Sequence, residues 1–333
     1  MKINKIAILL IIFLSPIKVF AESKSFNEWL ISFKSYASTK GISQTTIDEA
    51  LKNTKYLPKV IEYDRYQPEF YEDTITYIKK RTSNKKVEKG IKLYRSNKSL
   101  INQVEKEFNI DKELLLSLMG IETNFGKYLG KMDIISSLAT LSYDKRRSAF
   151  FTNELITILQ LINNKIVDYK ILYGSWAGAF GNFQFMPTTI KKYAIDYDKN
   201  DRIELKKIND SFASAANYLN LIGWDNNKPC FIPVKLKSNI PQKLLNTSAK
   251  KIKYKKKFKY YKKYIENVEN ININNNLISS IVTPDKDIIP DADNFYPAYI
   301  VFKNYEIILK WNRSLRFALA VCTLRNKFKN EIK

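Results

Sequence analysis

The spacing of apolar and polar residues predicts a mainly α-helical chain. An amphipathic stretch begins at residue 26, and apolar positions then recur at helical intervals over residues 111–121, 149–162 and 212–222. Glycine clusters separate these stretches, as is expected between helices. The same spacing returns over residues 313–328 and predicts a closing helix.

The pattern changes after Trp224. Residues 231–236 lie between prolines and favour short strands and turns, and residues 288–311 alternate apolar and polar positions. We therefore expect a mainly α fold with a small mixed α/β segment near the C-terminus. The expected parts are a leader at 1–21, an N-terminal helical region at 22–100, a compact helical core at 101–224 and the mixed segment with its closing helix at 225–333.

The leader has the features of a cleaved signal peptide. Two lysines precede an apolar stretch from Ile6 to Leu14, and Val19-Phe20-Ala21 suits a signal peptidase. The apolar stretch is short for a membrane span. No cysteine lies near the cleavage site, so a lipid anchor is not expected. We expect cleavage near Ala21, export to the periplasm and no membrane anchor on the mature chain.

Composition restricts the chemistry. The 333-residue chain has no histidine, which excludes imidazole metal sites, Ser-His-Asp triads and Cys-His pairs, so acid–base chemistry must use carboxylates. The formal charge is +23, and loss of Lys2, Lys5 and Lys18 with the leader leaves +20. Such a surface attracts polyanions. For an exported protein this indicates the cell envelope, and the leader argues against nucleic acid as the partner.

Two cysteines, Cys230 and Cys322, are present. An exported chain can join them in a disulfide bond. A chain of this length can also build its core without such a bond, so two free buried thiols remain the alternative.

Glu122 is the strongest candidate for a catalytic residue. It ends an apolar run and is followed by a turn-forming Thr-Asn-Phe-Gly sequence. Asp111 is expected to cap the start of this helix, and Leu115, Leu118 and Glu122 recur at helical spacing, so the carboxyl group should face the core. Burial favours the protonated form of a carboxyl group, which can act as a general acid and then as a base. The alternative is a structural glutamate paired with a basic residue.

A second informative stretch lies at residues 174–189, Gly-Ser-Trp-Ala-Gly-Ala-Phe-Gly-Asn-Phe-Gln-Phe-Met-Pro-Thr-Thr. Its glycines allow the backbone to approach another surface closely, and Pro187 is suited to the first turn of a helix. Ser175 and Gln184 offer hydrogen bonds among aromatic side chains, a mixture that binds sugars. The alternative is a tight connection between two helices.

Residues 250–264 contain nine lysines interleaved with aromatic residues. This pattern is found on surfaces that bind polyanions or glycans. The sequence favours the simpler interpretation, a solvated edge or loop with extended lysine side chains.

Together, Ile121-Glu-Thr-Asn-Phe-Gly and the stretch at 174–189 resemble the lytic murein transglycosylases of the MltB type, members of the lysozyme-like superfamily. The resemblance covers most of the mature chain and implies a lysozyme-like catalytic core at 101–224. Its further motifs are Gln67-Pro-Glu-Phe, Leu138-Ala-Thr-Leu-Ser-Tyr-Asp-Lys-Arg-Arg-Ser-Ala-Phe-Phe, Ala216-Asn-Tyr-Leu, Gly223-Trp224, Asn304-Tyr and Trp311-Asn-Arg-Ser.

The resemblance implies that Glu122 is the single catalytic acid and base. Similar enzymes cleave the β-1,4 bond between N-acetylmuramic acid and N-acetylglucosamine without water and without a required cofactor. The acid protonates the leaving oxygen, and the carboxylate then takes the proton of the muramic C6 hydroxyl as it attacks C1, which gives a 1,6-anhydromuramic end. Ordinary glycosidases use two carboxylates, and Asp133 and Asp144 are the nearest candidates for a second one.

Substrate-binding roles are also implied by the resemblance. Arg146 and Arg147 are expected to line the glycan cleft, where guanidinium groups suit lactyl and peptide carboxylates. Core packing is the alternative role for Tyr218 and Phe317. The remaining implied residues are Ser175, Gln184 and Asn312, which are polar, and Tyr218, Trp311 and Phe317, of which the last two stand where the family commonly has tyrosines.

An acidic loop offers candidate ligands for a structural calcium ion: Asp196, Asp198, Asn200 and Asp210. The first three alternate as in an EF-hand loop, and some similar enzymes place an acidic ligand at the fourth position. However, Asp201 stands where such loops have glycine, and Lys207 stands where they have glutamate. The sequence therefore favours an acidic turn without a metal.

These patterns predict a periplasmic lytic transglycosylase whose partner is the peptidoglycan glycan strand. One alternative is a hydrolytic muramidase on the same fold, which would release reducing ends. Another is a non-catalytic peptidoglycan-binding protein. Retention of Glu122 together with Ser175 and Gln184 favours catalysis.

Overall fold

Helices dominate the computed structural model, which describes residues 25–66, 71–266, 268–286, 288–293 and 295–332. The leader at 1–21 and the Gln67-Pro-Glu-Phe motif lie outside these residues. The predicted mainly α class is confirmed. The α-helices are α1 Phe26–Thr39, α2 Gln44–Ala50, α3 Pro58–Arg65, α4 Thr74–Arg81, α5 Asn84–Ser96, α6 Lys98–Phe108, α7 Lys112–Thr123, α8 Ile134–Tyr143, α9 Ser148–Asn163, α10 Pro187–Tyr193, α11 Ile208–Ile222, α12 Phe258–Tyr261, α13 Lys303–Trp311 and α14 Leu315–Glu331. The strands are β1 Met132–Asp133, β2 Tyr173–Gly174, β3 Phe231–Val234, β4 Leu245–Asn246, β5 Lys256–Lys257, β6 Ile278–Val282 and β7 Ala298–Val301.

Local sequence explains where several helices begin. Ser25 and Glu28 form a reciprocal capping box at the start of α1, in which the carboxylate accepts the Ser25 amide at 2.7 Å. Asp133 caps α8 by accepting the amide of Ser136. Pro58 and Pro187 occupy the first turns of α3 and α10, so the predicted helix start at Pro187 is confirmed.

Helix α7 lies at the centre of the main core. Its residues Leu114, Leu115, Leu116 and Leu118 have no exposed surface. Helix α14 packs along α7, and α5, α6 and α11 also contact it. The closing helix predicted near the C-terminus therefore returns to the helix that carries Glu122.

Asp111 lies at the start of α7, but its carboxylate does not cap that helix. Arg325 on α14 donates from Nε to Asp111 Oδ2 at 2.6 Å, and the Lys329 ammonium lies 3.3 Å from the same oxygen. A buried guanidinium competes for a carboxylate more strongly than a single backbone amide does. The predicted cap is wrong, and Asp111 instead connects α7 to α14.

The mixed segment forms a sheet with strand order β3-β7-β6-β4, and β5 pairs with β6. Pairing is antiparallel except between β4 and β6. On β7, Tyr299 and Val301 enter the main core while Ala298 and Ile300 enter a second apolar cluster on the other face. The alternation read over 288–311 corresponds to strand only at β7, because the residues after Phe302 bury one side of α13 instead.

Two tertiary connections join this sheet to the helices. A disulfide bond links Cys230, just before β3, to Cys322 on α14. Asp285 accepts hydrogen bonds from the Thr74 amide at 3.0 Å and from Arg316 Nη2 at 2.9 Å, and all three side chains are buried. The sheet, α4 and α14 are thus held together, whereas the division of the chain at residues 100 and 224 stays a prediction. Among the described residues, no helix combines the length and hydropathy needed to span a bilayer.

Candidate active site

Glu122 is the penultimate residue of α7 and is half-buried. The helix ends because Asn124, Phe125 and Gly126 adopt left-handed backbone angles, with φ of 51°, 62° and 77°. Asparagine and glycine tolerate this region well, whereas it is costly for phenylalanine, so tertiary contacts must hold the turn. The turn that was predicted after Glu122 is therefore present and unusually tight.

The Phe125 ring supplies those contacts. Added Cβ atoms at Gly90 on α5 and at Gly120 on α7 would lie only 2.9 Å and 2.7 Å from Phe125 Cζ. The Gly90 position would also clash with Phe328 of α14. The two glycines thus leave space for the ring between helices, and the ring fixes the end of the helix that carries Glu122.

A hydrogen-bonded connection places the 174–186 loop beside this helix end. The Thr123 hydroxyl donates to Asn182 O at 2.9 Å and accepts the Gly126 amide at 3.0 Å. The Asn182 side chain is buried and donates to Ser211 Oγ and to Lys206 O. Because Thr123 adjoins Glu122 in sequence, this connection brings together the two motifs on which the resemblance rests.

The loop is folded back on itself around Ser175 and Gln184. Ser175 Oγ accepts the Ala179 amide at 3.0 Å, which leaves the hydroxyl proton for another acceptor. Gln184 has a left-handed φ of 51°, and its side-chain Nε2 donates to Gly181 O at 2.9 Å and to Leu129 O at 3.4 Å. The glycines are needed for close packing, since a Cβ on Gly178 would lie 2.4 Å from Leu138.

An aromatic stack borders the carboxylate. The Trp311 ring stacks on Tyr218 with centroids 5.0 Å apart, and Tyr218 stacks on Tyr193 at 4.2 Å. Phe185 meets Trp311 edge to face at 5.4 Å. The Trp311 indole donates from Nε1 to Glu122 Oε1 at 3.1 Å. The stack therefore orients a donor onto the candidate acid from the end of α13.

Tyr218 is mostly buried, with 9% of its surface exposed. Its hydroxyl donates to Lys310 O at 3.2 Å. Burial, with a smaller effect of neighbouring Tyr193, raises the Tyr218 pKa to about 12, so the phenol stays protonated at neutral pH. Tyr218 therefore packs against Trp311 and does not exchange a proton at neutral pH.

Phe317 differs from the substrate-binding role that the resemblance implied for it. Its side chain is 3% exposed and packs in the main core on α14. In this position its ring cannot stack on a sugar, and the core-packing alternative describes it. Asn312, by contrast, is half-buried at the end of α13, directly after Trp311.

Arg146 and Arg147 form a separate cluster with buried Asp64 of α3. Arg146 donates from Nε to Asp64 Oδ2 at 2.9 Å, and Arg147 Nη1 lies 3.5 Å from Asp64 Oδ1. The guanidinium of Arg147 also lies over the rings of Phe150 and Phe151 at 4.8 Å. More than two fifths of each arginine side chain remains exposed, so both can still bind an anion.

Asp133 and Asp144, the candidates for a second carboxylate, have structural roles. Asp133 caps α8 through the amide of Ser136 at 2.6 Å. Asp144 pairs with Arg65 at 2.9 Å and also accepts the Arg146 amide. Neither arrangement resembles a carboxylate positioned to activate water.

The acidic loop brings three of its predicted ligands together. Carboxylate oxygens of Asp196, Asp198 and Asp210 all lie within 4.8 Å of one another, about twice a calcium–oxygen distance. Asp210 is buried, and its oxygens accept the amides of Tyr197 and Glu204. The donor chemistry and spacing fit a hard cation.

The Asn200 side chain makes hydrogen bonds within the loop. Its Oδ1 accepts the Arg202 amide at 3.0 Å and its Nδ2 donates to Glu204 at 3.1 Å. Asp201, where glycine was expected, has a left-handed φ of 64°, as the sharp turn requires. The loop thus makes an EF-hand-like turn despite this residue.

Sequence reasoning missed several residues that shape the site. Thr123 and Asn182 hold the two motifs together, and Lys86 on α5 donates to the Gly120 carbonyl at 2.7 Å, one half-turn before Glu122. Burial, followed by the charges of neighbouring basic residues, lowers the Lys86 pKa to about 8. A lysine in an amphipathic helix gives no sequence signal of such a contact.

Comparison with known proteins identifies the family. The family described as the Transglycosylase SLT domain matches residues 25–326. Membrane-bound lytic murein transglycosylase B of Escherichia coli (strain K12) is 34% identical over 151 residues, which are 45% of this chain and 42% of that protein. The matched segment therefore spans less than half of that relative.

Solved structures share the fold. SltB3 from Pseudomonas aeruginosa, in complex with NAG-anhNAM-pentapeptide, has a TM-score of 0.80 and 30% identity, with 92% of this chain and 80% of that chain covered. Slt35 of Escherichia coli, in complex with calcium, has a TM-score of 0.75 and 24% identity, with 91% and 93% covered. The predicted lysozyme-like transglycosylase fold and the resemblance to the MltB type are confirmed.

Proposed function

Because the chain belongs to the Transglycosylase SLT domain family, we propose that it is a periplasmic lytic transglycosylase of peptidoglycan. Its reaction would cleave the β-1,4 bond between N-acetylmuramic acid and N-acetylglucosamine and form 1,6-anhydromuramic ends. The observation that carries the proposal is the half-buried Glu122 at a rigid helix end, hydrogen-bonded to Trp311 and adjoining the loop of Ser175 and Gln184.

One carboxyl group can perform both proton transfers. In its acid form Glu122 donates a proton to the departing glycosidic oxygen, and the resulting carboxylate accepts the proton of the muramic C6 hydroxyl as that oxygen bonds to C1. The nucleophile belongs to the same sugar and needs no capture from solution. The Trp311 N–H stabilises the carboxylate between the two steps.

The structural roles of the two candidate second acids support this route over hydrolysis. Glycosidases place two carboxylates across the scissile bond, whereas Asp133 caps a helix and Asp144 pairs with Arg65. The relative SltB3 was solved with an anhydro sugar carrying a pentapeptide, which supports the same product class here. A disulfide between Cys230 and Cys322 is compatible with an oxidising compartment such as the periplasm.

We also propose that the acidic loop binds a structural calcium ion. Asp196, Asp198 and Asp210 would hold it, and the ion would relieve the repulsion among their carboxylates. No step of the reaction passes through this ion. The calcium complex of Slt35 supports the proposal at the level of the shared fold.

The test is digestion of purified sacculi by the mature protein, with mass spectrometry of the soluble muropeptides. Glu122→Gln removes the acid, and Glu49→Gln, at an exposed position on α2, is the matched control. We expect anhydromuramic ends from wild type and from Glu49→Gln, and none from Glu122→Gln. Reducing ends would identify a hydrolytic muramidase, and binding without any product would identify a binding protein.

A further inference from the structure

A basic groove of about 820 Å³ lies beside the C-terminal half of α13. One wall is the segment from Ala249 to Lys255, and the other comes from Glu306, Leu309, Lys310 and Arg313. The cationic residues that line it are Lys250, Lys251, Lys253, Lys255, Lys310 and Arg313.

The charge of this groove is largely uncompensated within the described part of the chain. Glu306 is its acidic lining residue, and it pairs with Lys255 at 2.5 Å. No carboxylate of the described residues pairs with the five other cations. These cations are exposed, so the groove presents several ammonium groups and one guanidinium to a ligand.

The lysine-bearing wall is fixed at its backbone. Ile252 is buried in the main core. Asn246 accepts the Lys253 amide at 2.7 Å and donates to the Lys253 carbonyl at 3.2 Å, and Ser280 donates to the same carbonyl at 3.0 Å. A wall held in this way presents exposed lysines from a fixed backbone, and the solvated edge or loop that the sequence favoured is compatible with it.

The groove lies beside the helix that carries Trp311. Lys310 and Arg313 flank Trp311 and Asn312 in sequence, and the Trp311 indole contacts Glu122. Tyr254, which is 41% exposed, adds an apolar surface to the opposite wall. The C-terminal end of α13 thus contributes both to the groove and, through Trp311, to the site of Glu122.

We propose that this groove binds the carboxylates of peptidoglycan stem peptides. Stem peptides project from muramic acid at regular intervals and carry several carboxylates along a partly apolar backbone, which matches a row of cations beside a tyrosine. The inference rests on the proposed function, since it assigns the groove to the same substrate. It makes the chain selective for strands that retain their peptides.

The test compares the triple variant Lys250→Gln, Lys251→Gln, Lys253→Gln with a matched control. The control is Lys256→Gln, Lys257→Gln, Lys259→Gln, which removes the same charge from the same segment outside the groove. Both triples are made in the full mature chain that also carries Glu122→Gln. Binding is measured by co-sedimentation with intact sacculi and with stripped sacculi, meaning the soluble glycan strands that an amidase frees of their peptides, immobilised on beads so that they sediment.

We expect the groove triple to weaken binding to intact sacculi about tenfold, because each exposed charge pair contributes modestly and three add to about one power of ten. Binding to stripped sacculi should change equally little in both triples. An equal loss on stripped sacculi, or an equal loss in the control triple, would overturn the proposal. So would a groove-dependent loss seen only with anionic lipid vesicles, which would assign the groove to a membrane surface.

The readout does not depend on catalysis. If wild type fails to cleave sacculi while peptide-dependent binding is present, the proposed reaction fails and the groove assignment holds. If wild type cleaves both kinds of sacculi and the groove triple binds intact sacculi normally, the groove assignment alone fails.

Discussion

Replacement of Trp311 by phenylalanine isolates the hydrogen bond to Glu122, the proposed catalytic carboxylate. Phenylalanine keeps a ring that can stack on Tyr218, where the Trp311 ring now lies 5.0 Å away, and removes the donor that lies 3.1 Å from Glu122 Oε1. The variant therefore tests the orientation of the acid with little change to the aromatic support.

The expected loss follows from the kind of bond removed. A hydrogen bond to a charged acceptor contributes about 1.5–3 kcal/mol. Glu122 carries its negative charge between the two proton transfers, so most of this contribution should appear in the barrier. Since about 1.4 kcal/mol corresponds to tenfold in rate, we expect kcat to fall about 10- to 100-fold.

The assay is release of dye from labelled sacculi, with the folded fraction of each protein matched by circular dichroism. Trp224→Phe is the control, because the Trp224 indole also donates to a side-chain oxygen, Asn226 Oδ1 at 3.0 Å, but does not contact Glu122. It should lose stability by about 1 kcal/mol and keep its kcat. Wild-type kcat in Trp311→Phe would refute a role for the indole in catalysis.

Three further predictions concern stability. Replacement of Cys230 and Cys322 by serine opens a loop of 92 residues and should lower the unfolding free energy by about 4 kcal/mol, measured by urea denaturation; an unchanged midpoint would contradict this. Burial lowers the Lys86 pKa to about 8 in the folded chain, against 10.5 in the unfolded chain, so the unfolded chain binds more protons between these pH values. The unfolding free energy of wild type should therefore rise relative to that of Lys86→Met from pH 8 to 10.5. Parallel curves of unfolding free energy against pH would argue against the buried ammonium. Millimolar calcium should raise the Tm of wild type and raise the Tm of Asp198→Ala less. A wild-type Tm that does not change with calcium would contradict the metal proposal.

The sequence predicted those features that depend on local pattern. Glu122 was found because an apolar helical run and a turn signal meet there, and the helix start at Pro187 follows from the fixed φ of proline. Asp196 and Asp198 lie two residues apart in one loop, and Asp210, which the resemblance implied, joins them from the first turn of α11.

Features that depend on contacts between distant chain segments could not be predicted from the sequence. Asp111 has the right position for a helix cap, yet Arg325, far along the chain, takes its carboxylate. The space at Gly90 for the Phe125 ring is equally a property of packed helices. Phe317 was assigned to the site by resemblance, and only its depth in the core shows that it serves packing.

The most direct test of the central claim is digestion of sacculi in water labelled with heavy oxygen, by wild type and by Glu122→Gln. If Glu122 alone transfers both protons and the muramic C6 hydroxyl is the nucleophile, wild type will release anhydromuramic ends without label and the variant will release none. Heavy oxygen at C1 of the released sugars, or undiminished release by Glu122→Gln, would contradict the account.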